Sequence, residues 1–549
     1  MTLNKKEKLI LVAIFILFIA IRMPGLDIPY HLDEIKYASI KPAIWNPEAV
    51  SAHPPLTGII YSLTSKLFGP DYFRATPLIF GALNFLLLFY FVNFKFGVKA
   101  ALWIVFLFSI SFYSVLASLM VDVDGQILPF FLLLSLVSYF KWEETINSRK
   151  KLLWCVLAVV AIIAGFLIKL SFVISFSAIA TAFIHKRRKL FNKEFLFKYG
   201  LLATGFLVFI IFVFLSGKFG ISEIISHAKD HIKLSDRAYL QILIQTVKAF
   251  IYSSPLLLAP LLFVRGKFSK LYVFFVLIFL GLVFYLVLFD FSRAALDKYF
   301  QFVVVPLCVI SGVIISDFFD KYKINRSVWL AGFFISLLLF FMQFVPHFVP
   351  PLYPKEEWIN RIIGLKWNFV FPFTGGSGPM GFYVSWLFVG SVWILSVIAA
   401  CLAFLKKQFI GFAFAILLTS GIIYNGVFIE EYLFGKINGS PHGLLKNAIN
   451  FIQNNDDIKK VITYNDIGSV ELRKINKHQR RLYAVPKYEE EYKEILDSFK
   501  INYFVLDIPH INPDSLYGKY FSTCSVVYEK ISRKISSRIY DCKNATIPD

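Results

Sequence analysis

The segment Tyr30-His31-Leu32-Asp33-Glu34-Ile35-Lys36-Tyr37 sets two adjacent carboxylates a few residues beyond a long apolar run. A carboxylate near an apolar boundary holds its proton more tightly and can serve as a general base. Asp33 and Glu34 are therefore candidates for deprotonating a hydroxyl nucleophile. A helix start, with both acids complementing the macrodipole, explains the pair equally well. His53-Pro54-Pro55-Leu56 follows, where two prolines fix a rigid turn, and then Phe73-Arg74-Ala75. Arg74 could meet a phosphate, although an arginine at the end of an apolar run also serves as an interfacial anchor.

A second acidic site is Val121-Asp122-Val123-Asp124-Gly125, an Asp-x-Asp in a tight turn. Oxygen ligands of this kind build hard-cation sites; the same pair could instead pair with Lys169 or Arg74. Lys169 stands between two apolar runs, where an ionisable residue is a functional candidate and a snorkelling lysine is the plain alternative. Arg293, Lys298 and Tyr299 precede the apolar run that contains Pro306. The spacing of His227, Asp230 and His231 puts them on one helix face, a possible zinc arrangement, but surface polar residues are the more common outcome. Two sequons occur, Asn438-Gly439-Ser440 and Asn544-Ala545-Thr546.

These groups belong to a chain of 549 residues that is 57% hydrophobic and 17% charged, with 62 Phe. A soluble domain averages about 25% charged, so a cytosolic enzyme, a disordered chain and a disulfide scaffold are all excluded. The net charge of +21 fits basic membrane loops better than a nucleic-acid partner. Apolar runs near 8–24, 76–94, 99–119, 126–141, 152–168, 171–185, 197–216, 247–264, 271–289, 299–317, 328–347, 381–404 and 408–429 read as about thirteen membrane helices. The first reads as an uncleaved anchor, since no small-residue cleavage site follows Ile21.

Orientation follows from the basic loops. With Lys5, Lys6 and Lys8 in the cytoplasm, the basic turns at 95–99, 149–151, 185–189, 265–270, 321–326 and 406–407 all fall on the same side. That requires Pro55 to Phe68 to lie along the membrane as an interfacial helix. The opposite face then receives the loop 25–75, with the acidic pair, and the tail beyond 430. The expected organisation is a membrane domain over 1–430 and a small extracytoplasmic α/β domain over 431–549. Lys460 to Tyr464 and Tyr503 to Leu506 read as strands there, and Gly443 to Asn454 and Tyr488 to Phe499 as helices. Cys524 and Cys542 lie in that domain, and a bridge or two isolated thiols are both open.

The Asp-Glu in the first outer loop, His-Pro-Pro-Leu with its interfacial helix, Arg74 and the second acidic site together resemble the GT-C glycosyltransferases that use polyprenyl-phosphate sugars. The pattern over about residues 8–320 is similar to the protein O-mannosyltransferases and the aminoarabinose transferases of lipid A. The full Arg-Tyr signatures of the mannosyltransferases are missing, so the sugar and acceptor do not carry over. The resemblance implies a GT-C fold and a multi-pass plasma-membrane transferase. It would move a sugar from a polyprenyl phosphate, dolichyl or undecaprenyl, to a hydroxyl on a lipid, glycan or protein, with inversion. Asp33 would be the base, and Glu34 would orient the acceptor. Arg74, Lys169, Arg293, Lys298 and Tyr299 would hold the donor phosphate, and His53, Asp122 and Asp124 the sugars. No cofactor is required on this reading; if a metal is bound, Asp33, Asp122 and Asp124 are its candidate ligands.

A transporter or flippase of lipid-linked sugars, or a membrane anchor for the C-terminal domain, would share the polytopic, basic composition. A transporter more often shows broken mid-membrane helices and matching halves. Here the polar residues cluster in loops, which favours the transferase.

Overall fold

Hydrocarbon offers a peptide group no hydrogen-bond partner, so apolar runs of membrane length close their backbone bonds internally as helices. The computed structural model describes residues 3–40, 53–69, 71–187, 237, 239–264, 268–288, 296–350, 356–374, 381–463, 465–481, 504–507 and 516–543. The chain divides into two compact units, Met1–Leu26 with Glu34–Lys323, and Asp27–Asp33 with Ile324–Asp549.

The first part of the chain runs through α1 (Lys5–Arg22), α2 (Leu32–Ala38), α3 (Pro55–Phe68), α4 (Ala75–Phe96), α5 (Val98–Ile110) and α6 (Phe112–Leu119). It continues through α7 (Ile127–Glu144), α8 (Ser148–Ile168), α9 (Val173–Arg187), α10 (Tyr239–Leu258), α11 (Phe268–Val283), α12 (Leu296–Tyr299) and α13 (Val304–Lys321). Caps set several of these ends. Asn4 and Glu7 form a capping box on α1, and Asn147 accepts from the first turn of α8. Pro55 opens α3, where its missing N–H costs nothing.

Of the apolar runs singled out in the sequence, 197–216 lies outside the described residues, 381–404 is helical only from Trp386, and the others are helical over most of their length. Among the described residues nine helices are long and apolar enough to cross a membrane, or ten if α5 and α6 are one bent span. The remaining difference from thirteen lies in α7, whose last turn carries Lys141, Glu143 and Glu144, and in the shorter α9.

The 65° bend between α5 and α6 falls at Ser111 and frees carbonyls inside the bundle. Arg22 satisfies them. Its guanidinium donates to Ser109 O at 3.0 Å, Phe108 O at 3.2 Å, Ser114 Oγ at 3.1 Å and Phe18 O at 2.9 Å. The side chain is buried against the Phe18 ring. In the sequence Arg22 reads only as the residue that interrupts the anchor; in the fold it holds the bend that aims α6 at the acidic turn.

In the second unit α14 (Arg326–Phe341), α15 (Glu356–Ile363), α16 (Trp386–Leu405) and α17 (Ile410–Leu433) precede α18 (Pro441–Gln453), α19 (Asp466–Lys474) and α20 (Leu516–Phe521). Strand β1 (Val370–Thr374) pairs antiparallel with β2 (Gly381–Ser385). The membrane helix expected over 381–404 therefore starts at Trp386. The apolar run Phe382 to Val384 is a buried strand, and Ser385 caps α16 by accepting from Phe388 N.

The α/β domain has a five-stranded sheet, order β4-β3-β5-β7-β6, formed by β3 (Val461–Thr463), β4 (His478–Arg481), β5 (Phe504–Asp507), β6 (Ser525–Ser532) and β7 (Ile535–Asp541). β3 is parallel to β4 and β5, and β7 is antiparallel to β5 and β6. Leu444, Leu445, Ala448, Ile449 and Ile452 recur at helical spacing on α18 and pack with Val461, Ile535 and Ile539. The strands and the first helix lie where the sequence reads them; Tyr488 to Phe499 is outside the described residues. Cys524 and Cys542 are joined in a disulfide, with 4.6 Å between Cα atoms, one residue beyond the last pair of β6 and β7.

A half-buried polar knot ties the β6–β7 turn to the helices of this unit. Lys534 Nζ donates to Asn438 Oδ1 at 2.7 Å and Gln343 O at 2.7 Å, and lies 3.0 Å from His347 Nδ1. The other ring nitrogen of His347 lies 2.5 Å from Ser385 Oγ. Asn438 Nδ2 donates to Glu431, Gln343 and Tyr383 O, so the amide of that sequon is fully buried and occupied. Asn438 is a structural residue here, not an accessible glycan acceptor. Asn544 is outside the described residues.

Candidate active site

Glu34 on α2 and Arg74 at the start of α4 form a buried two-pronged pair, with Nη1–Oε1 at 2.7 Å and Nη2–Oε2 at 2.8 Å. Both also grip the exit of α6. Arg74 Nη1 donates to Leu119 O, and Val121 N donates to Glu34 Oε1 at 2.8 Å. The orphan groups of a helix end are thereby satisfied by a charged pair, and the chain after α6 is fixed in place.

That chain carries the acidic turn. Asp122 Oδ1 accepts from Tyr37 Oη at 3.0 Å and from Val123 N at 2.6 Å, while Tyr61 Oη donates to Asp122 O at 3.0 Å. Lys298 Nζ lies 3.6 Å from Asp122 Oδ2. Burial alone would raise the Asp122 carboxyl; the ammonium of Lys298, then those of Lys169 and Lys36, hold it well below the usual carboxylate range. Gly125 is required where it stands, since a Cβ there would come within 2.4 Å of Gln301 Oε1 and 2.8 Å of Ala117 O. Asn84 donates to Gln126 O and Oε1, each at 2.8 Å, and locks the far side of the turn.

Tyr37 has one hydroxyl proton and gives it to Asp122, so its 2.9 Å contact with His53 Nε2 is donated by the imidazole. Burial, with Lys169 and Lys36 adding to it, pushes His53 well below its ordinary range, which fits a neutral ring with the proton on Nε2. Its Nδ1 is buried with no hydrogen-bond partner among the described residues.

Lys169 sits in an extended break between α8 and the short turn Leu170–Phe172, and its ammonium contacts Asp124 Oδ2. Thr57 Oγ1 on α3 donates to Ile168 O at 2.8 Å and pins that break. Burial opposes the charge on Lys169, but Asp124, then Tyr299, keep it an ammonium. Lys169 and Lys298 both place Nζ 4.7 Å from the Tyr299 ring centre. From Asp124 and Tyr299 a cavity runs between helices, past Leu128, Leu132, Ile174 and Phe302, with Ser171, Ser175 and Tyr285 also in its lining.

Residues 52–215 match the family model described as dolichyl-phosphate-mannose-protein mannosyltransferase. No curated protein matches the chain by sequence. Among solved structures the chain is similar to ArnT from Cupriavidus metallidurans bound to undecaprenyl phosphate, with TM-score 0.53, 14% identity and 97% of each chain covered. The apo state of ArnT gives TM-score 0.51 at 14% identity over 99% of each chain. The archaeal oligosaccharyltransferase AglB from Archaeoglobus fulgidus gives TM-score 0.46 at 11% identity, over 91% of this chain and 69% of that one. The chain carries the fold of the GT-C membrane glycosyltransferases.

Within this GT-C fold the residues singled out in the sequence separate into groups. Glu34, His53, Arg74, Asp122, Asp124, Lys169, Lys298 and Tyr299 form one connected cluster. Arg74 pairs with Glu34 and binds a helix end, and Lys169 pairs with Asp124. Asp33 precedes Glu34 on α2 and is half-buried. Arg293, His227, Asp230 and His231 lie outside the described residues. Sequence reasoning missed Tyr37 and Tyr61. Tyr37 stands three residues after Glu34, hence on the same helix face; Thr57, Tyr61 and Thr64 recur at helical spacing on α3 and are buried.

Proposed function

We propose that this chain transfers a sugar from a polyprenyl phosphate to a hydroxyl-bearing acceptor, in the plasma membrane and on its outer face. The observation that carries the reading is the pair of ammonium groups on Lys169 and Lys298, converging on Tyr299, which lines a largely apolar cavity. Paired cations suit a lipid phosphate, and an apolar cavity suits its isoprenoid chain. ArnT, a solved relative of this fold, is bound to undecaprenyl phosphate.

In the proposed reaction the acceptor oxygen attacks the anomeric carbon from the face opposite the phosphate. The new C–O bond forms as the bond to the phosphate oxygen breaks, with inversion, and the acceptor proton passes to the Asp33 carboxylate. A positioned base supplies about 10²–10⁴-fold. The departing phosphate needs cations to hold its charge, and Lys169 and Lys298 would supply them. A divalent ion fits this donor set poorly. Asp122 and Asp124 each face a lysine, and such an ion takes six or more oxygens.

The test is incubation of the purified protein with radiolabelled polyprenyl-phosphate mannose, glucose and arabinose-type donors, with nucleotide sugars as controls. Transfer from a lipid donor is expected, and loss of turnover with donor binding retained in Asp33→Asn. Transfer from a nucleotide sugar alone would remove the lipid-donor reading; normal turnover in Asp33→Asn would remove the base.

A further inference from the structure

A second cavity, of about 500 Å³, opens at the other end of the same helices. Arg74 stands at the start of α4 and Lys95 in its last turn, which at 1.5 Å per residue separates the two ends by about 30 Å. The cavity is lined by Lys95 on α4, Phe140 on α7, His185 on α9, and Lys270, Tyr272 and Phe274 on α11. These lie toward the last turns of α4, α7 and α9 and in the first turns of α11, so the cavity belongs to the face of the bundle away from the acidic turn.

Its chemistry is divided. Three basic side chains, Lys95, His185 and Lys270, share the lining with the aromatic rings of Phe140, Tyr272 and Phe274. Lys95 Nζ is 2.6 Å from Glu144 Oε1 and 4.1 Å from the Phe140 ring centre, so its charge is already shared. Lys270 is exposed and has no carboxylate partner among the described residues. The His185 ring lies 4.8 Å from that of Tyr272. The Tyr272 hydroxyl is buried and has no hydrogen-bond partner among the described residues. A buried donor left without an acceptor is destabilising. A bound acceptor would remove that cost.

We propose that this cavity binds an anionic phospholipid of the leaflet opposite the acidic turn. Lys270 and the Tyr272 hydroxyl donate to its phosphate, with His185 and Lys95 beside them, and one acyl chain lies against Phe140 and Phe274. Lys270, with no carboxylate beside it among the described residues, selects an anionic headgroup, because the ammonium of a choline would add a like charge there. The aromatic wall selects a lipid over a free phosphate, which would leave it bare. The cavity is within the usual range for a small-molecule site, about 300–1,000 Å³.

The experiment measures lipid binding to the full chain, purified in a neutral detergent without any sugar donor, by native mass spectrometry and by titration with phosphatidylglycerol, phosphatidylcholine and inorganic phosphate. Saturable phosphatidylglycerol binding is expected, with phosphatidylcholine at least roughly tenfold weaker. Lys270→Gln should weaken phosphatidylglycerol roughly tenfold, and the near-isosteric Tyr272→Phe should also weaken it. Tyr272→Phe decides the matter if Lys270→Gln does not fold. Lys6→Gln, which removes an exposed charge elsewhere, should leave binding unchanged. Equal binding of the two lipids, displacement by inorganic phosphate, unchanged affinity in the cavity variants, or an equal loss in Lys6→Gln would each overturn the proposal.

Discussion

Glu34 and Arg74, forty positions apart, meet through both carboxylate oxygens at 2.7 and 2.8 Å, and both side chains are buried. Removing one partner leaves a buried charge, which costs about 3–5 kcal/mol, whereas replacing both with apolar groups is often close to neutral. Arg74→Met should therefore lower the thermal midpoint in detergent more than the double variant Glu34→Met/Arg74→Met. Equal losses in the single and double variants would show that the pair does not couple.

Arg22 answers carbonyls that the bend at Ser111 leaves open. Arg22→Met should strand them at a cost of about 1–3 kcal/mol for each group left unpaired. The expected signs are a lower midpoint and, because α6 aims the acidic turn, weaker donor use in the folded fraction. A variant with unchanged stability would mean the bend holds without the guanidinium.

Burial, and Lys534 beside it, push His347 down to about 4 from its ordinary 6.5. The folded state thus binds the proton more weakly than the unfolded chain does. The contribution of His347 to stability is full above about pH 6.5 and is lost as the pH falls toward 4. Between pH 7 and 4.5 the wild type should lose more thermal stability than His347→Gln. Parallel losses in the two proteins would rule out His347 as the group responsible.

If Asp122 and Asp124 serve donor sugar hydroxyls and the two lysines, EDTA should leave transfer intact while Asp124→Asn raises the donor KM. Inhibition by EDTA that Mn²⁺ or Mg²⁺ reverses would instead assign these carboxylates to a metal.

Local signals explain what could be read in the sequence by itself. Length and hydropathy mark membrane helices because hydrocarbon enforces them, and Pro55 with Gly69 bounds α3 through backbone chemistry alone. The 3.6-residue recurrence on α18 and the short apolar runs of β3 and β5 marked the α/β domain in the same way. Residue types also brought Asp122, Asp124, Lys169 and Lys298 into view. Their partners were not legible. Arg74 reads as a phosphate ligand, an anchor or a partner of Asp122 and Asp124, and only the packing of α2, α4 and α6 gave it Glu34. Whether Phe382 to Val384 begins a helix or ends in a strand was settled by pairing with β1, and whether Cys524 meets Cys542 by the register of β6 and β7. An apolar helix carries almost no signal for the direction in which it faces its neighbours, because lipid and protein are alike to its side chains. The contacts between distant polar groups therefore belong to the tertiary structure, which alone fixes the rotation of each helix about its axis.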